Sequence, residues 1–481
     1  MARLSLKKEL SNVTSYQEFL ARKKMEVIPT GFDIPESALN QKLFPFQSAI
    51  VRWAIRRGRA GVFANIGLGK TFMQLEIADK VCQQTGGKFL LLTPIAVGQQ
   101  TRKEAEKFGI KTGIKVCKSA EEVEAGITIT NYEKLHKFDV SEFVGVGLDE
   151  ASILKSLDGS TRNSLIAAFQ KTPYRYCFTA TPSPNDIMEI GSYCEFLGIM
   201  SRTEMLAMFF THDGGETAKW RLKGHAEKTF FEWMATWCVM IRKPADLGFS
   251  NKGYDLPELR IHEHIVTSNL VESGRLFQTE ALTLADQRAA RRGTIESRIE
   301  LLAGMVNQLQ EPWIVWCNLN DESEGATAAI PDALEIAGKH KESEKEMRLL
   351  AFSEKESRVL VSKPSLAGFG LNWQHCCKVA FLGLSHSWEE FYQAIGRCHR
   401  FGQKNPVDVH VIVSDRDAAI TDNIKRKQDE ADRLAAGMVE AMSVASRREI
   451  GAATVEKTDY NPQFEMDMSL WQRNSECLTS R

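Results

Sequence analysis

A glycine-rich loop followed by a lysine and a threonine lies early in the chain. Residues 64–71 read ANIGLGKT, between an apolar run that predicts a strand and a stretch that predicts a helix. Gly67 and Gly69 allow the backbone to approach phosphate oxygens, and amide groups at the start of a helix donate to them. Lys70 reaches the β- and γ-phosphates, and the Thr71 hydroxyl binds Mg²⁺. The loop therefore predicts a binding site for a nucleoside triphosphate with Mg²⁺.

Two adjacent carboxylates follow a second apolar run. Asp149 and Glu150 come directly after residues 144–148, which predict a strand downstream of the phosphate loop. A carboxylate at the end of such a strand can face the Mg²⁺ held by Thr71, and its neighbour can orient or deprotonate the attacking water. We expect Asp149 to bind the metal and Glu150 to act as the base.

Two arginines in the last third of the chain could complete this chemistry. Residues 393–403 read QAIGRCHRFGQ and place Arg397 and Arg400 three residues apart, on one face of a predicted helix. Planar guanidinium groups can bind the charge that develops on a γ-phosphate during transfer. Gln393 would then sense the nucleotide or the attacking water. The alternative is that both arginines form salt bridges on the surface.

Short apolar runs that predict strands alternate with stretches of helix length, a pattern typical of doubly wound parallel α/β sheets. A first series of runs lies at 60–64, 89–93, 127–130, 144–148 and 176–179. A second series lies at 313–317, 334–336, 358–361, 379–382 and 407–413. Two series predict two lobes. Because the phosphate loop and the arginines fall in different series, the site must lie between the lobes.

The organisation of the chain follows from these series and from the segments around them. Residues 185–255 are rich in Met, Phe and Trp and lack strand alternation, which predicts a helical insertion between the lobes. Five segments result: a basic arm at 1–40, a first lobe at 41–186, the helical insertion at 187–257, a second lobe at 258–415 and a helical tail at 416–481.

The composition limits the classes of function. Lys and Arg total 61 against 62 for Asp and Glu, so the net charge is −1 and any nucleic-acid surface must be a local patch. A membrane-spanning helix needs about 20 apolar residues, and every apolar run here is much shorter. The 10 cysteines include no C-x-x-C pair, which favours reduced thiols over a zinc site. We therefore expect a cytoplasmic protein without a membrane partner.

Together these motifs resemble those of the superfamily two helicase ATPases, and within them the Swi/Snf-type double-stranded DNA translocases. Residues 393–403 are similar to the Q-x-x-G-R-x-x-R-x-G-Q signature, and residues 365–372 resemble the glycine-rich segment of these motors. Residues 240–247 with 256–257 resemble the passage that leads into their second lobe. The resemblance implies an α/β fold of two RecA-like doubly wound parallel-sheet lobes with a helical insertion, ATP and Mg²⁺ in the cleft, and DNA as partner.

The resemblance also implies roles for single residues. Thr179 and Thr181 would link hydrolysis to lobe movement, whereas Ser152 stands where the family commonly has His. Further arginines, at positions 288, 291, 292 and 298, either face phosphates or form a solvated helix face. The remaining implied contacts are with adenine (Gln47), with the nucleotide (Gly370) and with the nucleic-acid backbone (Thr93, Thr130, Asn131, Ser365).

Three functions remain open on the sequence. The first is translocation along double-stranded DNA, without necessarily separating the strands. The second is strand separation of DNA or RNA, which would need a pin that is not evident between the predicted second-lobe strands. The third is a motor or DNA-recognition subunit of a restriction-modification or phage DNA-processing complex, whose partner protein supplies nuclease, methyltransferase or replication function. The absence of bromo-, chromo- or zinc-finger-like modules favours a bacterial or phage protein, acting in the cytoplasm of the bacterial or infected host cell.

Overall fold

The computed structural model describes most of the chain and shows two α/β lobes. The described residues are 27–94, 97–155, 159–183, 186–213, 216–267, 293–367, 372–385, 387–415 and 418–454. The predicted positions outside these ranges are residues 1–26 of the arm, Arg288, Arg291, Arg292, Gly370 and residues 455–481 of the tail.

The first lobe begins with six parallel strands and four helices, and its five predicted strands are confirmed. Pro45 opens the first helix, where its fixed φ suits helical geometry and its missing N–H costs no hydrogen bond. The strands are β1 Arg59–Ala64, β2 Lys88–Thr93, β3 Ile114–Val116, β4 Ile127–Asn131, β5 Phe143–Asp149 and β6 Tyr174–Thr179. The helices are α1 Pro45–Arg57, α2 Lys70–Thr85, α3 Gly98–Phe108 and α4 Ser160–Ala168.

The segment predicted as a helical insertion, 187–257, is only partly helical. It contains α5 Ile190–Leu197, α6 Arg202–Phe209, the antiparallel hairpin β7 Phe210–Asp213 and β8 Glu216–Leu222, α7 Glu227–Ala235 and β9 Cys238–Ile241. Strand β9 pairs in parallel with β1 and completes a seven-stranded sheet of order β3-β4-β2-β5-β6-β1-β9. The segment is therefore built into the first lobe. Strand β9 escaped prediction because its four residues are all apolar and buried. They show no apolar–polar alternation, so periodicity cannot distinguish this strand from a buried helix.

The second lobe is a six-stranded parallel sheet of order β10-β15-β14-β11-β13-β12, and its five predicted strands are also confirmed. The edge strand β10 was not predicted, because most of its residues are exposed or half-buried and give no apolar run. The strands are β10 Leu259–Val266, β11 Trp313–Cys317, β12 Ala333–Ile336, β13 Val359–Ser362, β14 Lys378–Leu382 and β15 Val407–Ser414. The helices are α8 Ile295–Asn307, α9 Asn320–Ala329, α10 Glu342–Ser353, α11 Pro364–Ala367 and α12 Trp388–Ile395.

The last described helix, α13 Ala418–Thr454, leaves the second lobe and returns to the first. It packs on α1, α7 and β9, and Met438 and Met442 enter the first-lobe core. Arg57 at the end of α1 forms an ion pair with Glu449. The helix therefore ties the two lobes together. Neither this helix nor any other in the described part of the chain is long and apolar enough to cross a membrane.

At Arg298 the structure contradicts both interpretations of the arginine-rich run, contact with phosphates and a solvated helix face. Its side chain is fully buried in α8, and its Nη1 donates to Oε1 of the equally buried Glu322 at 2.8 Å. The other oxygen of Glu322 accepts the backbone N–H groups of Asn318 and Leu319 at the start of α9. Arg298 lies four residues before buried Leu302, so the helical spacing places it on the core face of α8. It contacts neither phosphate nor solvent.

We predict that Arg298→Ala destabilises the second lobe by about 3–5 kcal/mol, because it leaves the buried Glu322 carboxylate without its cation. The control is Arg426→Ala, which breaks an exposed pair with Glu430 and should cost less than about 1 kcal/mol. Urea unfolding followed by tryptophan fluorescence measures both. Equal unfolding midpoints for the two variants would contradict a structural role for the buried pair.

Candidate active site

The phosphate loop spans the turn between β1 and α2, and two glycines are required there by their backbone. Gly67 and Gly69 have φ values of 85° and 79°, in the left-handed region. A Cβ on Gly67 would lie 2.8 Å from the backbone N of Phe401, and one on Gly69 would clash with Nε2 of Gln47. The first contact is with the second lobe, so Gly67 also allows the lobes to approach each other.

Lys70 is the first residue of α2 and is held close to the loop. Its Nζ donates to the carbonyl oxygen of Ala64 at 2.8 Å, at the end of β1. Burial lowers the pKa of Lys70 to about 8, although the negative charges of Glu150 and Asp149 act in the opposite direction. A bound polyphosphate would add negative charge beside this ammonium and favour its protonated form.

Asp149 ends β5, and Glu150 follows it in a strained backbone conformation. Glu150 has φ 51°, which is uncommon for a residue other than glycine and is often found at functional sites. Burial and the neighbouring Glu150 charge raise the pKa of Asp149 to about 7. Oε2 of Glu150 is buried and has no hydrogen-bond partner among the described residues. Glu150 also lines the cavity between the lobes.

A cavity of about 460 Å³ between the lobes brings the predicted residues together. The first lobe lines it with Gly67, Gly69, Lys70, Thr71, Asp149 and Glu150, and the second lobe with Asn372, Gln374, Arg397, Arg400 and Phe401. Burial lowers the pKa of Arg397 to about 10 and also lowers that of Arg400. Thr71 and Asp149 offer a hydroxyl and a carboxylate, the oxygen ligands that Mg²⁺ prefers, so the residues present fit this metal.

The two arginines reach the cleft from a turn, which corrects their predicted place on a helix face. Helix α12 ends at Ile395, and the backbone N–H of Arg397 still donates to Ala394 at 3.3 Å before the chain turns. Nε of Arg397 donates to the backbone oxygen of Gln393 at 3.0 Å, which orients the guanidinium. The Gln393 side chain is buried outside the set of cavity-lining residues, so its role as a sensor remains a prediction.

Gln47 supports the phosphate loop through both ends of its amide. Its Oε1 accepts the backbone N–H of Phe44 at 3.0 Å, and its Nε2 donates to the backbone oxygen of Leu68 at 3.0 Å. Its contact with adenine remains a prediction. Beside it, Phe44, Tyr254 and Phe401 pack edge to face or tilted at centroid distances of 4.8–5.7 Å. The sequence contains no local signal for this cluster, because its members come from three distant parts of the chain.

Three of the four residues predicted to contact nucleic acid are buried at the carboxyl ends of strands. Thr93 and Asn131 are register partners on β2 and β4, and Thr130 precedes Asn131. Asn131 donates through Nδ2 to Oε1 of Glu342 in the second lobe at 3.3 Å, and Lys134 pairs with the same oxygen at 2.6 Å. Nucleic acid would have to displace Glu342 to reach these donors.

The fourth of these residues, Ser365, is exposed on α11. It lines a second cavity between the lobes, of about 370 Å³, together with Pro94, which follows Thr93. Glu150 lines both cavities. The contacts of all four residues with nucleic acid remain predictions.

Residues 297–402 match the protein family described as "Helicase conserved C-terminal domain". The matched region covers most of the second lobe and includes Arg397 and Arg400. The match supports the assignment of this chain to helicase superfamily two. Together with the two RecA-like lobes, it supports a helicase-type ATP-dependent motor that acts on nucleic acid. A comparison with curated proteins found no significant match.

We predict that Lys70→Ala and Glu150→Gln abolish hydrolysis by different routes. Loss of Lys70 removes a charge-assisted bond to the phosphates, so nucleotide binding should weaken. Glu150→Gln should bind ATP normally and retain it, because the base is lost while the phosphate contacts remain. Fluorescent ATP binding and phosphate release measure the two steps.

The matched control is Glu142→Gln, an exposed carboxylate that pairs with Lys88 and directly precedes β5. It should hydrolyse ATP at the wild-type rate. Turnover within tenfold of wild type in either site variant would exclude these assignments.

Proposed function

We propose that the chain is a nucleic-acid-stimulated ATPase that moves along double-stranded DNA in the manner of Swi/Snf-type translocases. One observation supports the ATPase most directly: Lys70, Asp149 and Glu150 line the same cavity as Arg397 and Arg400, although the two groups come from different lobes. The assignment to the Swi/Snf branch rests on the resemblance of residues 393–403 and 240–247 to these motors. The cofactors are ATP and Mg²⁺, and the products are ADP and phosphate.

The chemistry assigns a step to each cavity residue. Mg²⁺, when bound by Thr71 and Asp149, would neutralise phosphate charge. Lys70 and the loop amides bind the phosphates and orient them. Glu150, which lines the cavity, accepts the proton of the attacking water. Arg397 and Arg400 donate to the oxygens on which charge develops in the transition state.

The division of the site between two lobes supports motor function. The bound phosphates attract cations of both lobes, so ATP favours the closed arrangement, whereas release of phosphate removes part of that attraction. Each cycle of binding and release would then change the distance between the lobes. Nucleic acid bound across both lobes would be moved along by the same change.

Strand separation is a second candidate function, and one structural feature favours it. The strands β7 and β8 form an antiparallel hairpin, and a hairpin is a common strand-splitting element. It lies between α6 and α7 of the first lobe. A third possibility, a motor subunit with a partner nuclease, methyltransferase or replication protein, rests on the sequence resemblance alone.

We predict that double-stranded DNA stimulates ATP turnover more than single-stranded DNA or RNA of equal length. Binding should be largely independent of base sequence and should weaken steeply with salt, because backbone phosphates supply most of the attraction. ATP turnover with the three nucleic acids at several salt concentrations measures this.

Displacement of a triplex-forming strand reports translocation, and release of a labelled duplex strand reports separation. Triplex displacement without duplex opening supports the translocase. Duplex opening would support the helicase, and turnover independent of nucleic acid would contradict both.

We predict that Arg400→Ala lowers kcat on the order of 10³-fold, the scale of arginine-finger losses, with only a modest change in ATP affinity. The reason is that its guanidinium acts mainly on the transition state. Arg400→Lys should restore little, because an ammonium group cannot reproduce the planar fork of donors.

Turnover on saturating DNA gives kcat, and Arg426→Ala on α13 is the control. Wild-type kcat for Arg400→Ala would mean that the second lobe has no part in catalysis.

A further inference from the structure

One carboxylate of the second lobe binds two separate elements of the first. Glu389 lies in the first turn of α12, and its side chain is 11% exposed. Its Oε1 accepts a hydrogen bond from Oγ1 of Thr181 at 2.9 Å, and its Oε2 forms an ion pair with Nζ of Lys155. Both oxygens of this carboxylate are therefore used in contacts between the lobes.

The two partners of Glu389 come shortly after Glu150 and after Thr179 in the chain. Lys155 ends the short 3₁₀ helix Ala151–Lys155, which begins directly after Glu150. Thr181 lies two residues beyond β6, and its backbone N–H donates to Oγ1 of Thr179 at 3.2 Å. Glu389 thus contacts the first lobe at two points that are fixed relative to the hydrolytic site.

The other end of α12 leads to the arginines. Gln393 lies one helical turn beyond Glu389, and its Nε2 is 3.5 Å from Oε1 of Glu389. The backbone oxygen of Gln393 in turn accepts from Nε of Arg397 at 3.0 Å. A shift of Glu389 along the first lobe would move Gln393 with it, because both lie on α12, and would move Arg397 through its bond to the backbone oxygen of Gln393.

A second contact shows how closely α12 is tied to the phosphate loop. The Tyr392 hydroxyl donates to Oδ1 of Asn65, which lies in the loop between β1 and α2. The Tyr392 ring stacks on Trp388 at a centroid distance of 5.0 Å. Glu389 and Tyr392 therefore attach one helix to the first lobe at two places, one of them in the phosphate loop.

We propose that Glu389 is a positioning residue that sets Gln393 and Arg397 in register with the bound phosphates by docking on Thr181 and Lys155. The inference rests on the proposed ATPase and extends it to a residue that touches neither nucleotide nor metal. It also assigns a second-lobe partner to Thr181, the residue expected to link hydrolysis to lobe movement. The link then runs through Lys155 and Thr181 to Glu389, in a chain that has Ser152 in place of the common His.

The test separates binding from turnover in Glu389→Ala and Glu389→Gln. Misplacing the arginines should lower kcat about 10–100-fold in Glu389→Ala, because small displacements of catalytic groups have effects of this size. Glu389→Gln keeps an acceptor for Thr181 and should lose less. The Kd for ATP should stay within about threefold, since the phosphate loop remains intact. A purely structural role would instead lower the melting temperature and leave kcat per folded molecule unchanged.

A charge exchange tests the contact itself. Lys155→Glu and Glu389→Lys should each lower kcat, and the double variant should recover at least tenfold over either single one, because it restores the ion pair. The matched control is Glu390→Gln, the next residue on α12. Its carboxylate contacts Ser385 within the second lobe and also lies near Lys155, so the variant removes the same charge while keeping the Glu389 contacts. It should keep kcat within twofold of wild type.

Two negative results have different meanings. Suppose that the wild-type protein hydrolyses ATP. If Glu389→Ala then has the same kcat as wild type, or if the double variant is no faster than the single variants, the positioning role alone is overturned. A wild-type protein that hydrolyses no ATP with any nucleic acid would overturn the proposed function, and this inference with it.

Discussion

The structure depends on bringing buried charges from two lobes to one cleft. Lys70 comes from the first lobe and Arg397 and Arg400 from the second, while Asp149 and Glu150 are the carboxylates that face them. Burial in the cleft disfavours the positive charges of Lys70 and Arg397 and so lowers the pKa of both side chains. With Lys107 and Glu104, which also line the cavity, four basic side chains face three carboxylates, so negative charge is in deficit. A polyphosphate would supply the missing negative charge, and its binding would then favour the closed arrangement of the lobes.

Parallel sheets make this convergence possible. All strands of a parallel sheet end at the same edge, so the carboxyl ends of β2, β4 and β5 place Thr93, Asn131 and Asp149 side by side. The phosphate loop leaves β1 at that edge as well. Two later parts of the chain then complete the first lobe: β9 adds to the sheet beside β1, and α13 returns from the second lobe to pack on β9 and α1.

Several of the described contacts between the lobes are polar, beside the aromatic packing of Phe401 on Phe44 and Tyr254. Glu389 binds Thr181 and Lys155, and Glu342 binds Asn131 and Lys134. Polar groups of this kind exchange protein partners for water at modest cost when the lobes part. The buried pair of Arg298 and Glu322 is the opposite case, because it lies inside one lobe and its separation would leave charges without solvent.

The sequence by itself determined the features that depend on neighbouring residues. Lys70 was predicted because a strand, a glycine-rich turn and a helix follow one another within a few residues. Asp149 was predicted because it directly follows a short apolar run, which is typical of a buried parallel strand. Only the tertiary structure decided which distant groups meet. It showed that Arg298 is a core residue, that β9 belongs to the first sheet, and that Glu389 joins the lobes. Each of these depends on a partner far along the chain, and local periodicity contains no information about such a partner.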